Sequence, residues 1–410
     1  MENSKIYDMV IVGGGLVGVS LAICLRTTAL RIALVESIAW SQDHHSPSYD
    51  DKIIALSYSS QRILNGMGIW EQIVPHTIPI QQIHVSDQGH FGFTRLNRQL
   101  LGLPALGYVI SARKLGEILQ PLLTSVPTID IFSPARFVQL QQQETTVTTQ
   151  VVLNQTLHNL TANLVIAADG GHSALCQQAA MVTEQRDYGQ TALIANVTLA
   201  QSHQYTAYER FTPAGPLALL PLKDHDCALI WTVQRADVNR MMALTDSEFL
   251  TQLQREFGWR LGQFLRVGTR QVYPLRLIRT RPNPQSRVIA IGNAAHTLHP
   301  IAGQGLNLGL RDMAHLAEFL IDTNQLGIDI GSPDRLNCYL KSQQPDEERI
   351  INITDGLVQI FSNNQFPLTF MRNLGLLSVD ILPPLKKYFI RQMTGLNGHP
   401  SRLLRGLPLV

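Results

Sequence analysis

A short β-branched, apolar run, Ile6 to Val12, leads straight into Gly13-Gly14-Gly15-Leu16-Val17-Gly18 and then into Val19-Ser-Leu-Ala-Ile-Cys-Leu25. A chain that begins this way has few ways to fold. In the GxGxxG spacing, Gly13 permits a tight turn, Gly15 lets backbone approach a pyrophosphate, and Gly18 lets a helix pack closely on a strand. Arg31-Ile-Ala-Leu-Val-Glu36 reads as a second strand, ending in an acid placed to accept hydrogen bonds from an adenosine ribose. A glycine-rich turn in some unrelated α/β unit is the plainer alternative. Strand, glycines, helix, strand and terminal acid in this order favour the dinucleotide reading, with contacts at Gly13, Gly15, Leu16, Val17, Gly18 and Glu36.

A second stretch, Val288 to Met313, asks for the same ligand. It reads as a buried β run to Ile291, a glycine-punctuated loop, and a helix opening near Gly305 with Leu306, Leu308, Leu310 and Met313 apolar. A helix N-terminus at the end of a strand offers free N–H groups and a partial positive charge, which suits an anion or an electron-rich ring. Asn293, Pro300, Gly303, Gln304, Gly305, Leu306 and Asn307 are the candidates here. An ordinary strand-turn-helix is the alternative. A third stretch, Leu164 to Ser173, is a buried strand ending at Asp169-Gly170. Asp169 stands where ligands sit in parallel sheets, or caps the helix that follows, and both readings hold at this point. Lys52 meets cofactor phosphates or is a surface lysine; Arg113 is open in the same way.

The 410 residues suggest two or three domains, and 45% hydrophobic with 16% charged residues is a globular composition. A net charge of +2 points to no nucleic-acid partner. The cysteines, Cys24, Cys176, Cys227 and Cys338, lie far apart without zinc spacing and read as small buried hydrophobes in a reduced compartment. No metal site is expected; His44 and His45 read as solvated loop residues. The N-terminus is not patterned as a secretory signal, and no run reaches a membrane span, so the expected place is the cytoplasm, at most peripheral on the membrane's cytoplasmic face.

The rest of the chain divides by period. Ile83–Asp87 and Phe91–Thr94 suggest a hairpin, and alternating segments between Ile129 and Leu160 a meander. From Tyr188 to Tyr273 period-two strands form a separate sheet, with Phe211, Leu219, Pro221 and Trp231 as candidates for a hydrophobic pocket. After Met313 the chain is helical, with Pro345 a kink or break. The tail from Phe366 interleaves Leu374, Leu376, Ile381, Leu385, Phe389 and Ile390 with Arg372, Lys386, Lys387, Arg391, Arg402 and Arg405. Such a tail docks on an anionic membrane surface, or packs on its own protein or a partner. The expected division is residues 1–80 with 100–185 and 275–325 for the cofactor, 81–99 with 186–274 for a β-rich substrate domain, and 326–410 as a C-terminal helical region.

GxGxxG with Glu36, Ala168-Asp-Gly-Gly-His-Ser173, and Gly292-Asn-Ala-Ala-His-Thr-Leu-His-Pro-Ile-Ala-Gly-Gln-Gly-Leu-Asn307 together resemble the FAD-binding signature of the single-component aromatic hydroxylases. Nearly the whole chain is covered. His84–His90, Glu209–Ala218, Phe257–Gly262 and Arg372–Leu376 are most similar to the ubiquinone-biosynthesis branch, which acts on octaprenyl methoxyphenols. The resemblance implies an α/β fold: a Rossmann-like FAD domain, a β-sheet substrate domain and a C-terminal helical region. It further implies bound FAD, NAD(P)H as reductant, O2 as co-substrate, and a flavin C4a-hydroperoxide that hydroxylates a prenylated phenol, with a ubiquinone-biosynthesis complex as partner. Pro300 and the loop to Gly303 would wall the flavin ring, and the helix near Gly305 would steady the reduced ring. Asn293 replaces the family's usual acid, and Lys52 its usual arginine. His90, Tyr208 and Arg210 are open as groups that polarise the phenol. A prenyl reductase on the same fold, or an FAD-less lipid scaffold, are the competing readings.

Overall fold

The computed structural model describes residues 6–40, 52–361, 366–398 and 400–409. The expected loop with His44 and His45 lies outside them. At the centre of the first sheet, Ile6–Val12 pairs in parallel with Ile32–Val35 on one side and Thr156–Ala167 on the other. Ile129–Phe132 extends the sheet beyond Ile32–Val35, and Val288–Ala290 pairs in parallel with the end of Thr156–Ala167. Both faces are covered, which is why these strands read as unbroken apolar runs rather than alternating ones. Met9 and Ile11 pack into the core beneath the helices, while Val10 and Val12 pack with Val147, Val151 and Leu175 on the opposite face. The meander is present as Ala135–Gln142, Val147–Leu153 and Thr156–Ala167.

Two helices leave this sheet side by side. Leu16–Leu25 is buried almost all round, and it rests on the helix Gln304–Gln325 at glycines. A Cβ on Gly309 would lie 2.9 Å from Cγ2 of Val17, so the backbones meet closer than side chains would allow.

The second sheet is mixed. Its strands run, edge to edge, His296–Thr297, Gln271–Arg281, Val182–Leu199, Asp226–Gln234, Gly215–Pro221, Thr206–Thr212, Gln82–Asp87 and Phe93–Asn97, with Phe264–Val267 paired to Val182–Leu199. The last two strands are the expected hairpin. A small third sheet joins Ile53–Ser57, Gly107–Ser111 and Ile78–Ile80.

The C-terminal fifth is mostly helical: Pro333–Phe361, Phe366–Ile381 and Pro383–Met393. The helix does not break at Pro345. Proline there removes one N–H, but the carbonyl it deserts belongs to the exposed Lys341, where water can serve it. The tail packs on its own protein: Ile390 is buried with Ile80, Leu96 and Val109, and Leu403, Leu404 and Leu409 enter the core beneath the parallel sheet. Among the described residues no helix is long and apolar enough to cross a membrane.

Candidate active site

A single cavity of about 1120 Å³ runs from the glycine turn of the first sheet to the face of the second. Gly13, Gly15, Leu16, Val17, Glu36, Lys52, Asp169, Asn293, Pro300, Gly303, Gly305, Leu306 and Asn307 all line it. Gly18, Arg113 and Gln304 do not. Gly18 sits behind the wall, where a Cβ would lie 2.0 Å from the Gly13 carbonyl oxygen; its part is close packing. Arg113 is half-buried at the start of the helix Ala112–Leu119.

Gly13 has φ +111°, and a Cβ there would lie 2.3 Å from the Ala168 carbonyl oxygen, so only glycine fits. Gly15 is the reverse case. Its φ is an ordinary −71°, and among the described residues no heavy atom beyond its chain neighbours and its own helix stands within 4 Å of where its Cβ would be. The open space belongs to the cavity wall, a cradle that a side chain would fill. Gly15 and Gly303 open the two helices that leave the first sheet, and neither helix has a side-chain cap from its N-cap residue or an acidic residue in its first turn. Both N-termini therefore turn positive dipole ends toward one cavity. An extended dianionic dinucleotide with a ring that becomes negative on reduction matches that donor set.

Hydrogen bonds hold the surrounding side chains. Glu36 is 5% exposed; its Oε2 accepts the Gly14 N–H at 2.7 Å and its Oε1 the Ile38 N–H at 2.9 Å. Asn307 is fully engaged: Oδ1 accepts from Ser57 N and Ser60 Oγ, and Nδ2 donates to the Ala55 and Gly303 carbonyls. It staples the helix start to the small sheet. The cap of the helix after Asp169 is Ser173, whose hydroxyl accepts the Cys176 N–H at 3.0 Å. Asp169 lies one turn too early for the cap; burial raises its carboxyl despite a hydrogen bond from Ser173. Burial works against a charged His296, but the Asp312 carboxylate 2.5 Å away outweighs it and raises the imidazole. Buried His299 stands edge-on to Tyr188 and is lowered to about 4 by desolvation, so it is neutral. Lys52 is exposed at the rim, its ammonium 5.3 Å from the centre of the Tyr273 ring.

The second sheet lines its part of the cavity with alternate residues: Ala192 and Ile194, Ala207, Glu209 and Phe211, Ala218 and Leu220. Of the four pocket candidates only Phe211 belongs to this face. Leu219 and Trp231 occupy the opposite face, where Trp231 meets Phe249 of the helix Asp246–Phe257 with ring centres 5.6 Å apart; Pro221 is buried outside the lining. Both faces are apolar, so period alone could not say which one faces the cavity. His90 is exposed away from the cavity, and Arg210 donates to the Glu256 carbonyl at 2.9 Å. Tyr208 lines the cavity, and so does its neighbour Glu209, which sequence reasoning passed over. The available signal was a carboxylate inside a strand whose same-face neighbours are apolar. Of the cysteines, Cys338 is exposed rather than buried.

A family profile described as "FAD binding domain" matches residues 7–346. The chain belongs to this FAD-binding family. It is 35% identical to "Ubiquinone hydroxylase UbiL" of Rhodospirillum rubrum over 99% of its own length and 94% of that protein. It is 28% identical to "3-demethoxyubiquinol 3-hydroxylase" of Escherichia coli, covering 95% of this chain and 98% of that one. Among solved structures, p-nitrophenol 4-monooxygenase PnpA from Pseudomonas putida DLL-E4 has a TM-score of 0.79 at 19% identity, over 97% of this chain and 99% of that one, a likeness of fold. As a family member the chain is an FAD-dependent flavoprotein of the aromatic-hydroxylase class, and the expected α/β architecture with its C-terminal helical region is the one observed.

Proposed function

We propose that the protein is a hydroxylase of ubiquinone biosynthesis that inserts one oxygen atom of O2 into the aromatic ring of a polyprenyl phenol, with NAD(P)H as reductant. One observation carries this reading: the dinucleotide cradle and an apolar chamber are parts of one continuous cavity. Bound FAD would supply the two-electron chemistry that activates O2 and delivers an oxygen atom. The chain's own residues do the rest. Gly13, Gly15, Leu16 and Val17 would hold the pyrophosphate through backbone N–H groups, and Glu36, Lys52, Asp169 and Asn293 the ribose and linker regions. The first turn at Gly303, Gln304, Gly305 and Leu306 would stabilise negative charge on the ring, with Asn307 holding that turn in place. Pro300 and Ile301 would form the wall that keeps water from the ring.

A prenylated ring needs an apolar path. Leu376, Val379, Phe389 and Met393, from the last two helices, line the cavity on their inner side. On their outer side Met371, Ile381, Leu382, Leu385 and Tyr388 are exposed. With Lys387 and Arg391 nearby in sequence, this face suits an anionic phospholipid surface from which the substrate's tail enters.

The test is O2 uptake driven by NADH or NADPH on purified holoenzyme, with a geranyl-substituted methoxyphenol as probe and labelled O2. The expected product carries one labelled oxygen on the ring. Consumption of reductant with a saturated prenyl chain and no O2 uptake would establish the reductase reading instead.

A further inference from the structure

One carboxyl group in the apolar chamber has no protein partner among the described residues. Glu209 lies on the strand Thr206–Thr212 between Ala207 and Phe211 on the same face, and its neighbours across the sheet are Ala218 and Val85. All five residues line the cavity. Among the described residues its carboxyl makes no hydrogen bond or ion pair, and its exposed surface faces the cavity interior. A carboxyl stranded among apolar side chains opposes folding. Its presence there calls for a partner that enters with the substrate.

The position fits such a partner. Val85 and Phe211 share a packed cluster with Ile301, on the loop that would wall the flavin ring. Glu209 is therefore about 7 Å along its strand from Phe211, a member of the cluster that includes that loop's Ile301.

We propose that Glu209 is the catalytic base that takes the hydroxyl proton of the aromatic substrate. The inference rests on the hydroxylase reading above. In this step the phenol O–H bond breaks, its proton moves to a Glu209 carboxylate oxygen, and the electron pair stays on the phenolate. Delocalised into the ring, that pair raises the nucleophilicity of the ortho and para carbons toward the oxygen atom that the proposed hydroxylase activity delivers. The hydroxylated carbon then loses its own C–H proton to solvent as the ring regains aromaticity, and the product oxygen recovers the proton held by Glu209, so Glu209 ends as it began.

Burial alone pushes the Glu209 carboxyl up to about 8. A base with a pKa near the working pH is the efficient choice for a phenol, whose own value is about 10. The other titratable groups around the chamber do not perturb it: Tyr208 beside it, Tyr273 and Arg276 on the strand Gln271–Arg281, and Arg372, which Asp87 already holds.

The experiment compares wild type with Glu209→Gln, which keeps size and hydrogen bonding but has no basic oxygen, and with Glu209→Asp. Flavin content and the rate of flavin reduction by NAD(P)H should be equal in all three. With 2-geranylphenol as probe, the rate of ring hydroxylation by wild type should rise with pH along a limb with its midpoint near 8, where the Glu209 carboxyl ionises. In Glu209→Gln the midpoint should move to that of the free phenol or above, and ring hydroxylation at pH 7 should fall about 100-fold or more. Glu209→Asp should keep the wild-type midpoint at a lower rate. An unchanged pH–rate profile in Glu209→Gln would falsify the assignment while leaving the hydroxylase reading intact. If wild type neither binds nor oxygenates the probe, the phenol reading fails, and the base falls with it.

Discussion

Arg372 and Asp87, 285 positions apart in the chain, form a buried two-pronged ion pair, Nε to Oδ2 at 2.8 Å and Nη2 to Oδ1 at 3.1 Å. Their side chains are 4% and 3% exposed. The neighbouring Asn373 donates to the same Asp87 carboxylate at 2.8 Å and accepts the Gly92 N–H at 2.8 Å. The helix Phe366–Ile381 is thereby fixed across the hairpin of the second sheet. Because Arg372, Gly375, Leu376 and Val379 line the cavity, this part of the tail is a wall of the site.

Removing one member of that pair leaves the other charge buried. Arg372→Met is expected to lower stability by about 3–5 kcal/mol in urea denaturation of the holoenzyme, and the double change with Asp87→Asn to recover part of it. A loss below about 1 kcal/mol would show that the wall is held by packing alone.

Gly15 and Gly18 should separate cofactor binding from folding. In Gly15→Val the new side chain enters open space at an ordinary φ, so the apo fold should persist while flavin absorbance after purification is lost. In Gly18→Ala the methyl group meets the Gly13 carbonyl oxygen, and a stability loss of about 1–3 kcal/mol or more is expected by thermal circular dichroism. Full flavin occupancy in Gly15→Val would contradict the pyrophosphate cradle.

The exposed face of the last two helices can be tested without touching the core. Ile381→Ser with Leu385→Ser removes two exposed apolar side chains and should change stability by no more than about 0.5 kcal/mol each. Sedimentation with phosphatidylglycerol-rich vesicles should fall several-fold, and unchanged partition would rule out this face as the lipid contact. Truncation at Phe366 is the poorer test, since it also removes Ile390, Leu403 and Leu404 from the core.

What sequence alone could determine was whatever depends on neighbours in the chain. The turn at Gly13, a helix after the glycine run, the acid at Glu36 and a helix opening near Gly305 follow from local backbone freedom and unbroken apolar runs, and each was legible before any coordinates, though the helices start a few residues earlier, at Leu16 and Gln304. The tertiary structure decided what depends on register and on distant pairing. Leu219 and Glu209 both sit in alternating strands, yet only pairing across the sheet assigns one to the core and the other to the cavity. The cap role open to Asp169 in the sequence falls to Ser173 once the helix start is fixed. A basic, apolar tail has the same composition whether it lies on a membrane or closes a cavity. Asp87 supplies the charge that draws Arg372 inward, and no local rule connects residues so far apart, because their meeting is produced by the packing of the sheet between them.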